Sequence, residues 1–493
     1  MQDRRVTSGP QDLDPRRWAA LGVCISALFI TLLDVSIVNV ALPSIQRGTG
    51  ADPAELQWVV SGYALAFGMV PIIGGRLGDD RGRRLMLLIG IASFVVFSLM
   101  VGLAPTAGVL IAGRVLQGLA GGLLNPQVSG LVQQLFPLRE RGRAFGTLGA
   151  AVGIATAAGP VVGGAIIALG GEEFGWRLCF LVNVPVGVIS FVLCLRLLPA
   201  PGRRDAPPRA LDLPGAALLS LGVFGLLFPA VQFDADHDAR LAFVLVPALG
   251  LLACFVGWER GPAHRRGHPL VDLGLLRIRS YADGLVLALL FFCAYTGTPL
   301  VLALFLQEGL GFSPLRSGLT ASAYAVGAAL SAPIGGRMLN RLGQRLLVGA
   351  LVLFGVGVGL AALIADHVAG QVHPDQVALL MVPALLLAGL GGGSVITPNQ
   401  ALSLAEVDVR GGSTAGGMLQ TSQRIGNAVG AAVISAVFYA SVTGVTTTPG
   451  PAREAAYGSA YATALVVSVV FAAAALVLAI RDVRRRGVPR TAR

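Results

Sequence analysis

The sequence predicts an all-α membrane protein of fourteen transmembrane helices, and three observations carry that expectation. Of its 493 residues, 54% are hydrophobic and only 13% are charged, with a mean hydropathy of +0.74. That is too little charge to cover the surface of a soluble protein of this length. The apolar residues fall in blocks of about 20, each long enough to cross a hydrocarbon core of about 30 Å as a helix. Blocks of that length are too long for barrel strands, and helices satisfy their own backbone groups inside lipid. Finally, the basic residues alternate in density from one connection to the next, as the loops of a polytopic protein do.

The first apolar block, 18–42, follows a polar tail, 1–17. It has no small-residue cleavage site before the next block, so it is expected to be retained as a span. Spans two to six are expected at 55–77, 84–104, 107–135, 143–169 and 177–198. A basic, proline-rich stretch at 199–211 then reads as a linker. Two further spans, 212–233 and 241–259, precede a second linker at 260–280. The last six are expected at 281–306, 315–338, 346–366, 376–402, 414–441 and 459–480, ahead of a tail at 481–493. The 66 glycines supply small-residue seams for packing such helices.

An even number of spans puts both termini on one side. All 37 basic residues are arginine, and 29 of them fall in the two tails and the connections on that side. The opposite loops hold only Arg47, Arg177, Arg240, Arg316 and Arg453, while Arg76, Arg114 and Arg424 lie within spans. This asymmetry predicts cytoplasmic termini. The net charge of +11 is thereby a topological device facing anionic lipid, and a nucleic-acid partner is not expected. The cysteines, Cys24, Cys179, Cys194, Cys254 and Cys293, are scattered singly through apolar runs and are expected to pack in the core. No metal site is expected from the five histidines, His237, His264, His268, His367 and His373, which all fall in loops. No P-loop is present, so no cofactor and no enzymatic chemistry are expected.

An internal repeat is visible. Gly75-Arg76-Leu77-Gly78-Asp79-Asp80-Arg81-Gly82-Arg83-Arg84 follows the second span, and Gly336-Arg337-Met338-Leu339-Asn340-Arg341-Leu342-Gly343-Gln344-Arg345 follows the tenth. Spans 1–6 (18–198) and 9–14 (281–480) therefore read as two six-helix halves, with 212–259 inserted between them. Repeated halves about a central cavity are a transporter signature.

The first copy resembles the loop signature of the major facilitator superfamily, G-x-L-a-D-r-x-G-r-r, carried here by Gly75, Asp79, Gly82 and Arg83. Glycines permit a tight turn there, and Asp79 and Arg83 can make charge-assisted bonds that hold the halves in one state. The position after the aspartate, usually basic, is Asp80, which puts the local charge pairing in question. Span one ends in Leu33-Asp34-Val35-Ser36-Ile37-Val38-Asn39-Val40-Ala41-Leu42-Pro43. This resembles the L-D-x-T-x-x-N-V-A-L-P signature of the superfamily's fourteen-helix drug:proton antiporters. Span five carries Gly146, Gly149, Gly153, Gly159, Pro160, Gly163 and Gly164. It resembles the superfamily's antiporter motif G-x8-G-x3-G-P-x2-G-G, with Ala155 in place of the middle glycine. Trp176-Arg177-Leu178-Cys179-Phe180-Leu181-Val182-Asn183-Val184-Pro185-Val186-Gly187 is similar to the family's W-R-x-x-F-x-x-N-x-P-x-G, for which anchoring and packing are expected.

The resemblance implies the major facilitator fold in a bacterial plasma membrane, with a proton as coupling ion. It also implies that the glycine–proline element seals the cavity facing the cytoplasm and marks exporters. Asp34 is the one acid deep within a span, where a carboxylate needs a cavity or a cationic partner. At about 1.5 Å per residue it lies roughly 14 Å from the outer end of its helix. Arg114, in Arg114-Val115-Leu116-Gln117-Gly118, lies roughly 10 Å from the outer end of its own by the same rise. The matched depths make Asp34 and Arg114 the expected proton-coupling pair.

Candidate groups lining a substrate cavity are Asn39, Gln57, Tyr63, Gln117, Asn125, Gln127, Tyr295, Gln307, Tyr324, Asn399 and Gln420. Arg424 either joins them or snorkels to the lipid interface. Spans two and ten carry no acid near their middles, which points to neutral, monocationic or zwitterionic substrates. The expected function is export of amphipathic small molecules such as drugs or antibiotics, coupled to protons and driven by rocking of the halves. A proton-coupled importer or metabolite facilitator shares the fold. A receptor or sensor would need a larger signalling domain than the two tails provide. One chain holds both halves, so a monomer suffices for a transport path.

Overall fold

The computed structural model describes residues 15–199, 211–236, 243–263, 269–442 and 450–486. The expectations for most of the two tails, for 200–210, for 264–268 with His264 and His268, and for His237 lie outside the described residues. Within them, all regular structure is helical. The helices are α1 (Arg17–Thr49), α2 (Pro53–Met69), α3 (Pro71–Arg81), α4 (Arg83–Gly102), α5 (Ala107–Leu135), α6 (Leu138–Leu181) and α7 (Asn183–Leu197). A hairpin of α8 (Leu213–Asp236) and α9 (Leu245–Trp258) follows. The remainder are α10 (Arg279–Leu304), α11 (Pro314–Leu342), α12 (Arg345–Val368), α13 (Pro374–Ser403), α14 (Gly412–Val442) and α15 (Pro451–Arg486).

Among the described residues, ten helical segments are long and apolar enough to cross a membrane, and eleven if α2 and α3 form one broken span. The expected span 55–77 is that broken pair, bent by 46°. Pro71 opens α3, and its ring nitrogen cannot donate the bond that would carry α2 onward. Helix α6 contains a second break. Gly171 has φ 75° and ψ 166°, a conformation that L side chains rarely adopt, and it separates the spans Leu138–Gly171 and Phe174–Leu197. Helix α1 runs two turns beyond the expected 18–42, and α15 continues to Arg486, six residues into the stretch expected as a tail.

Side-chain contacts place both described chain ends at one end of the bundle. Arg17 pairs with Glu140 at 2.9 Å, and Asn340 donates to the carbonyl of Arg139 at 2.7 Å. Gln344 bonds Asp482, and Arg485 approaches Asp283 at 4.0 Å. This is the arginine-rich end. Two large apolar cores lie within the bundle, one built mainly from α1, α4, α5 and α6 and the other from α10 to α15. The outward faces are apolar as well. Val466, Val470 and Val477 of α15 and Val96 of α4 are exposed, as a lipid-facing surface allows. Four cysteines are buried as expected, whereas Cys254 is exposed on the thin α9.

The α8–α9 hairpin packs over α2, α3 and α14. Leu219, Val223 and Leu227 of α8 meet Leu65 and Ile72, and Phe228 faces Trp58 at 6.2 Å between ring centroids. Its arginine-rich end is pinned by carboxylates. Asp212 accepts from Trp258 Nε1 at 2.8 Å, and Glu259 accepts from the Leu270 amide at 3.0 Å. Glu259, one residue past α9, is 2% exposed, and its second oxygen has no hydrogen-bond partner. Burial pushes its carboxyl up to about 7 from an ordinary 4.5, with Asp212 adding to the rise and Arg76 opposing it.

The folded chain therefore holds the Glu259 proton more tightly than the unfolded chain. Stability should fall as pH rises from about 4.5 to about 7 and level off above that. Thermal unfolding of detergent-solubilised protein should show this fall in the wild type and lose that component in Glu259→Gln. The same pH dependence in both proteins would contradict the assignment.

Candidate functional site

Asp34 sits in the interior of α1 at 0% exposure, and Arg114 of α5 reaches it with Nη1 2.5 Å from Oδ2. The other carboxylate oxygen accepts from Asn183 Nδ2 of α7 at 2.7 Å and from Gln117 Nε2 at 3.1 Å. Arg114 also donates from Nε to the Val59 carbonyl at 3.0 Å and from Nη1 to Gln117 Oε1 at 2.6 Å. Gln117 completes the set by donating to Ser98 of α4 at 2.9 Å. Above and below the guanidinium lie Tyr63, 4.2 Å from its centre, and Phe180, at 5.7 Å. Six helices thus converge on one charge pair. Of the residues expected here from sequence, the fold brings Asp34, Arg114, Gln117 and Tyr63 together. Asn183 and Ser98 are additional members. Asn183 belongs to the quoted tryptophan–arginine element and was expected only to pack. Ser98 is one serine among many and carried no sequence signal.

A second polar cluster lies at the arginine-rich end. Asp79, near the end of α3, accepts from the amides of Ser413 at 3.1 Å and Thr414 at 2.8 Å, and from the Thr414 hydroxyl at 2.8 Å. Those amides belong to the first turn of α14, where free N–H groups and the helix dipole favour an anion. Arg83 pairs with Asp79 at 2.9 Å and donates to Ser413 Oγ at 2.9 Å and to the Gly130 carbonyl at 2.7 Å. It also reaches the Val409 carbonyl. Asp80 does not compete for Arg83, because it pairs with Arg76 one turn back at 2.8 Å. Gly82 has φ 111°, which lets the chain turn directly into α4.

Gly75 allows the close approach behind this cluster. A Cβ at that position would lie 2.3 Å from the Ser413 carbonyl oxygen. The second copy of the repeat does the same on the other side. A Cβ on Gly336 of α11 would lie 2.2 Å from the carbonyl of Gly142 in α6. The α6 glycines divide between two partners rather than forming one seam. Gly146, Gly149 and Gly153 face Ala332, Pro333 and Ala329 of α11, while Gly159 and Gly163 face Ser36 and Ile37 of α1. Gly164 faces open space, and Pro160 lies within the helical backbone of α6. The α1 stretch carrying Asp34 is thus held directly against the glycine–proline element.

The remaining polar candidates are dispersed. Gln127 is buried and donates to the Gly74 carbonyl at 2.7 Å. Asn399 donates to the Gly284 carbonyl at 3.2 Å and borders a shallow recess with Asp283 and Asp482 at the arginine-rich end. Asn39 and Gln307 are exposed, and Gln57 and Asn125 are half-buried. The Tyr295 and Tyr324 rings lie 5.2 Å apart and tilted by 39°, with the Tyr324 hydroxyl donating to the Tyr295 carbonyl at 3.0 Å. Gln400 and Gln420 both reach Ser129 Oγ, at 3.0 and 3.4 Å. Arg424 does not snorkel, since its guanidinium lies 4.2 Å over the ring of Phe67 on α2.

This arrangement of helices matches a known family. The model of the Major Facilitator Superfamily matches residues 24–431 and 284–493. The chain belongs to the major facilitator superfamily. It is 39% identical to the probable actinorhodin transporter of Streptomyces coelicolor over 86% of this chain and 73% of that protein. It is 32% identical to the puromycin resistance protein of Streptomyces alboniger over 98% and 94% of the two chains. A crystal structure of a human organic anion transporter superimposes with a TM-score of 0.64 at 17% identity, covering 93% of this chain and all of that one. As a superfamily member the chain is a multi-pass membrane transporter.

The Asp79 cluster ties α3 and α4 to the first turn of α14 in this conformational state. Asp79→Asn removes the charge from the α14 N-terminus and from Arg83. It should shift the equilibrium away from this state by roughly 2 kcal/mol, the upper range for a charge at a partly buried helix terminus. Spin labels at the exposed Arg81 and Arg410 should report a longer and broader distance distribution in the variant. An unchanged distribution would assign the cluster to folding alone.

Proposed function

We propose that the chain is a proton-driven exporter of amphipathic small molecules, and that Asp34 is the group that carries the proton. The observation behind this reading is a carboxylate at 0% exposure whose three hydrogen bonds come from Arg114, Gln117 and Asn183, in the interior of an apolar bundle. A charge in such a place is costly unless paired. A proton on Asp34 removes the charge that Arg114 binds, frees the guanidinium and loosens α1 from α5. Because α1 also lies on the α6 glycines, the change reaches the helix that packs against α11.

The contacts between α1–α7 and α10–α15 described above cluster toward the arginine-rich end, at Asp79–Thr414, Gly142–Gly336 and Ser129–Gln420. Closure at that end fits the outward-facing state of an alternating-access cycle. In this reading the proton enters from outside as substrate leaves, and its release to the cytoplasm resets the site. The relatives named for actinorhodin transport and puromycin resistance support export of antibiotic-like molecules.

The proposed topology has fourteen spans. The α2–α3 pair counts as one of them, and α8, α9 and α11 join the segments that are long and apolar enough by themselves. Two six-helix halves, 18–198 and 281–480, flank the inserted pair. Both termini lie in the cytoplasm of a bacterial plasma membrane, and a single chain suffices for transport.

Inverted vesicles containing the protein should lose lumenal protons when a transported antibiotic is added outside, and Asp34→Asn should abolish that response. Proton movement that survives the substitution would remove Asp34 from the role.

A further inference from the structure

Arg424 lies twelve residues into α14, about 18 Å along the helix at 1.5 Å per residue, and hence near the middle of a hydrocarbon core. A guanidinium at that depth is expensive and is ordinarily matched by a carboxylate. Here it is not. Among the described residues Arg424 has no ion pair and no hydrogen bond. Its face is covered by Phe67, while the side chain retains part of its exposure and so borders open space.

The surroundings carry further unused polar capacity. Gln420 and Asn427 fall on the same stripe of α14 as Arg424, at i−4 and i+3. The Gln420 carbonyl oxygen is buried without a hydrogen-bond partner, as is the hydroxyl of the neighbouring Thr421. Next to the stripe runs an aromatic ladder. Phe67 and Tyr63 are 5.9 Å apart with ring planes 30° apart, and Tyr63 in turn lies 4.2 Å from the Arg114 guanidinium. Both rings are buried, so an apolar wall lies behind a cation that has no ion pair, a setting that suits an apolar molecule bearing an acidic group.

We infer that Arg424 is the substrate-recognition cation of this transporter, and that its substrates are largely apolar molecules carrying an anionic carboxyl, phenolate or enolate. The inference rests on the exporter reading and specifies its substrate class. It revises the expectation of neutral, monocationic or zwitterionic substrates, which rested on the absence of acids in two spans and took no account of an unpaired base. The bound anion supplies the charge partner that the protein omits. The acidic group makes charge-assisted bonds to the guanidinium, which Phe67 backs from behind.

Two xanthene dyes of similar size and opposite charge test this, fluorescein as the anion and a cationic rhodamine ester. Export of each is followed in vesicles under an imposed proton gradient, together with binding to the purified full-length protein. The wild type should bind and move fluorescein, and Arg424→Gln should weaken fluorescein binding roughly tenfold or more, the scale of a lost charge-assisted hydrogen bond. The same variant should change binding of the rhodamine ester less than about twofold, and Arg424→Lys should recover most of the fluorescein binding. Equal losses for both dyes would mean that Arg424 only holds Phe67 and α14 in place, and would overturn the inference. A wild type that exports the rhodamine ester but not fluorescein would also overturn it, leaving the exporter reading intact. A wild type that moves neither dye under the gradient would count against both.

Discussion

The structure is organised around one buried pair, the Asp34 carboxylate and the Arg114 guanidinium, set in a bundle that offers no water to solvate either. Each charge alone in that environment would cost several kcal/mol. The pair therefore dictates what surrounds it. Gln117 and Asn183 complete the carboxylate's hydrogen bonding, and the Val59 carbonyl takes a further guanidinium proton. Tyr63 and Phe180 flank the cation. Because these groups come from α1, α2, α5, α6 and α7, a change of charge on Asp34 is felt by every one of those helices.

The Asp79 cluster handles charge differently. Its carboxylate is satisfied by backbone amides at the start of α14 as well as by Arg83, so the bond joins two parts of the bundle that are more than 300 residues apart in sequence. Gly75 and Gly336 make the matching close approaches possible on the two sides. Both contacts lie at the arginine-rich end, whereas Asp34 lies deeper, and α6 touches both regions through different glycines. This shared helix is the physical link between the Asp34–Arg114 pair and the contacts at the arginine-rich end.

Much of this was legible in the sequence, for a physical reason. Lipid imposes long apolar helices and penalises buried charge, so block length revealed the all-helical bundle and the lone deep acid revealed Asp34. Counting rise per residue then placed Arg114 level with it, and the contact is realised. Other features depend on rotation about a helix axis, which counting does not give. The glycines of α6 read as one stripe but divide between α11 and α1 on either side of about Gly153 to Gly159. Arg424 sat equally well in a cavity or at an interface until its orientation over Phe67 was seen. Asn183 lies in a motif that read as packing, and only the crossing of α7 with α1 turns its amide onto Asp34. The break between α2 and α3 was announced by Pro71, yet the smooth hydropathy across 55–77 concealed it.

The central claim is that Asp34 takes up and releases a proton within the transporter's working range. Infrared difference spectroscopy across a pH step reads this directly, because a protonated carboxyl has a carbonyl stretch separate from that of carboxylates. The account predicts a band from a buried protonated carboxyl in the wild type at the acid end of the step, absent from Asp34→Asn at the same pH. A wild type with no such band, or a band that persists unchanged in Asp34→Asn, would contradict it.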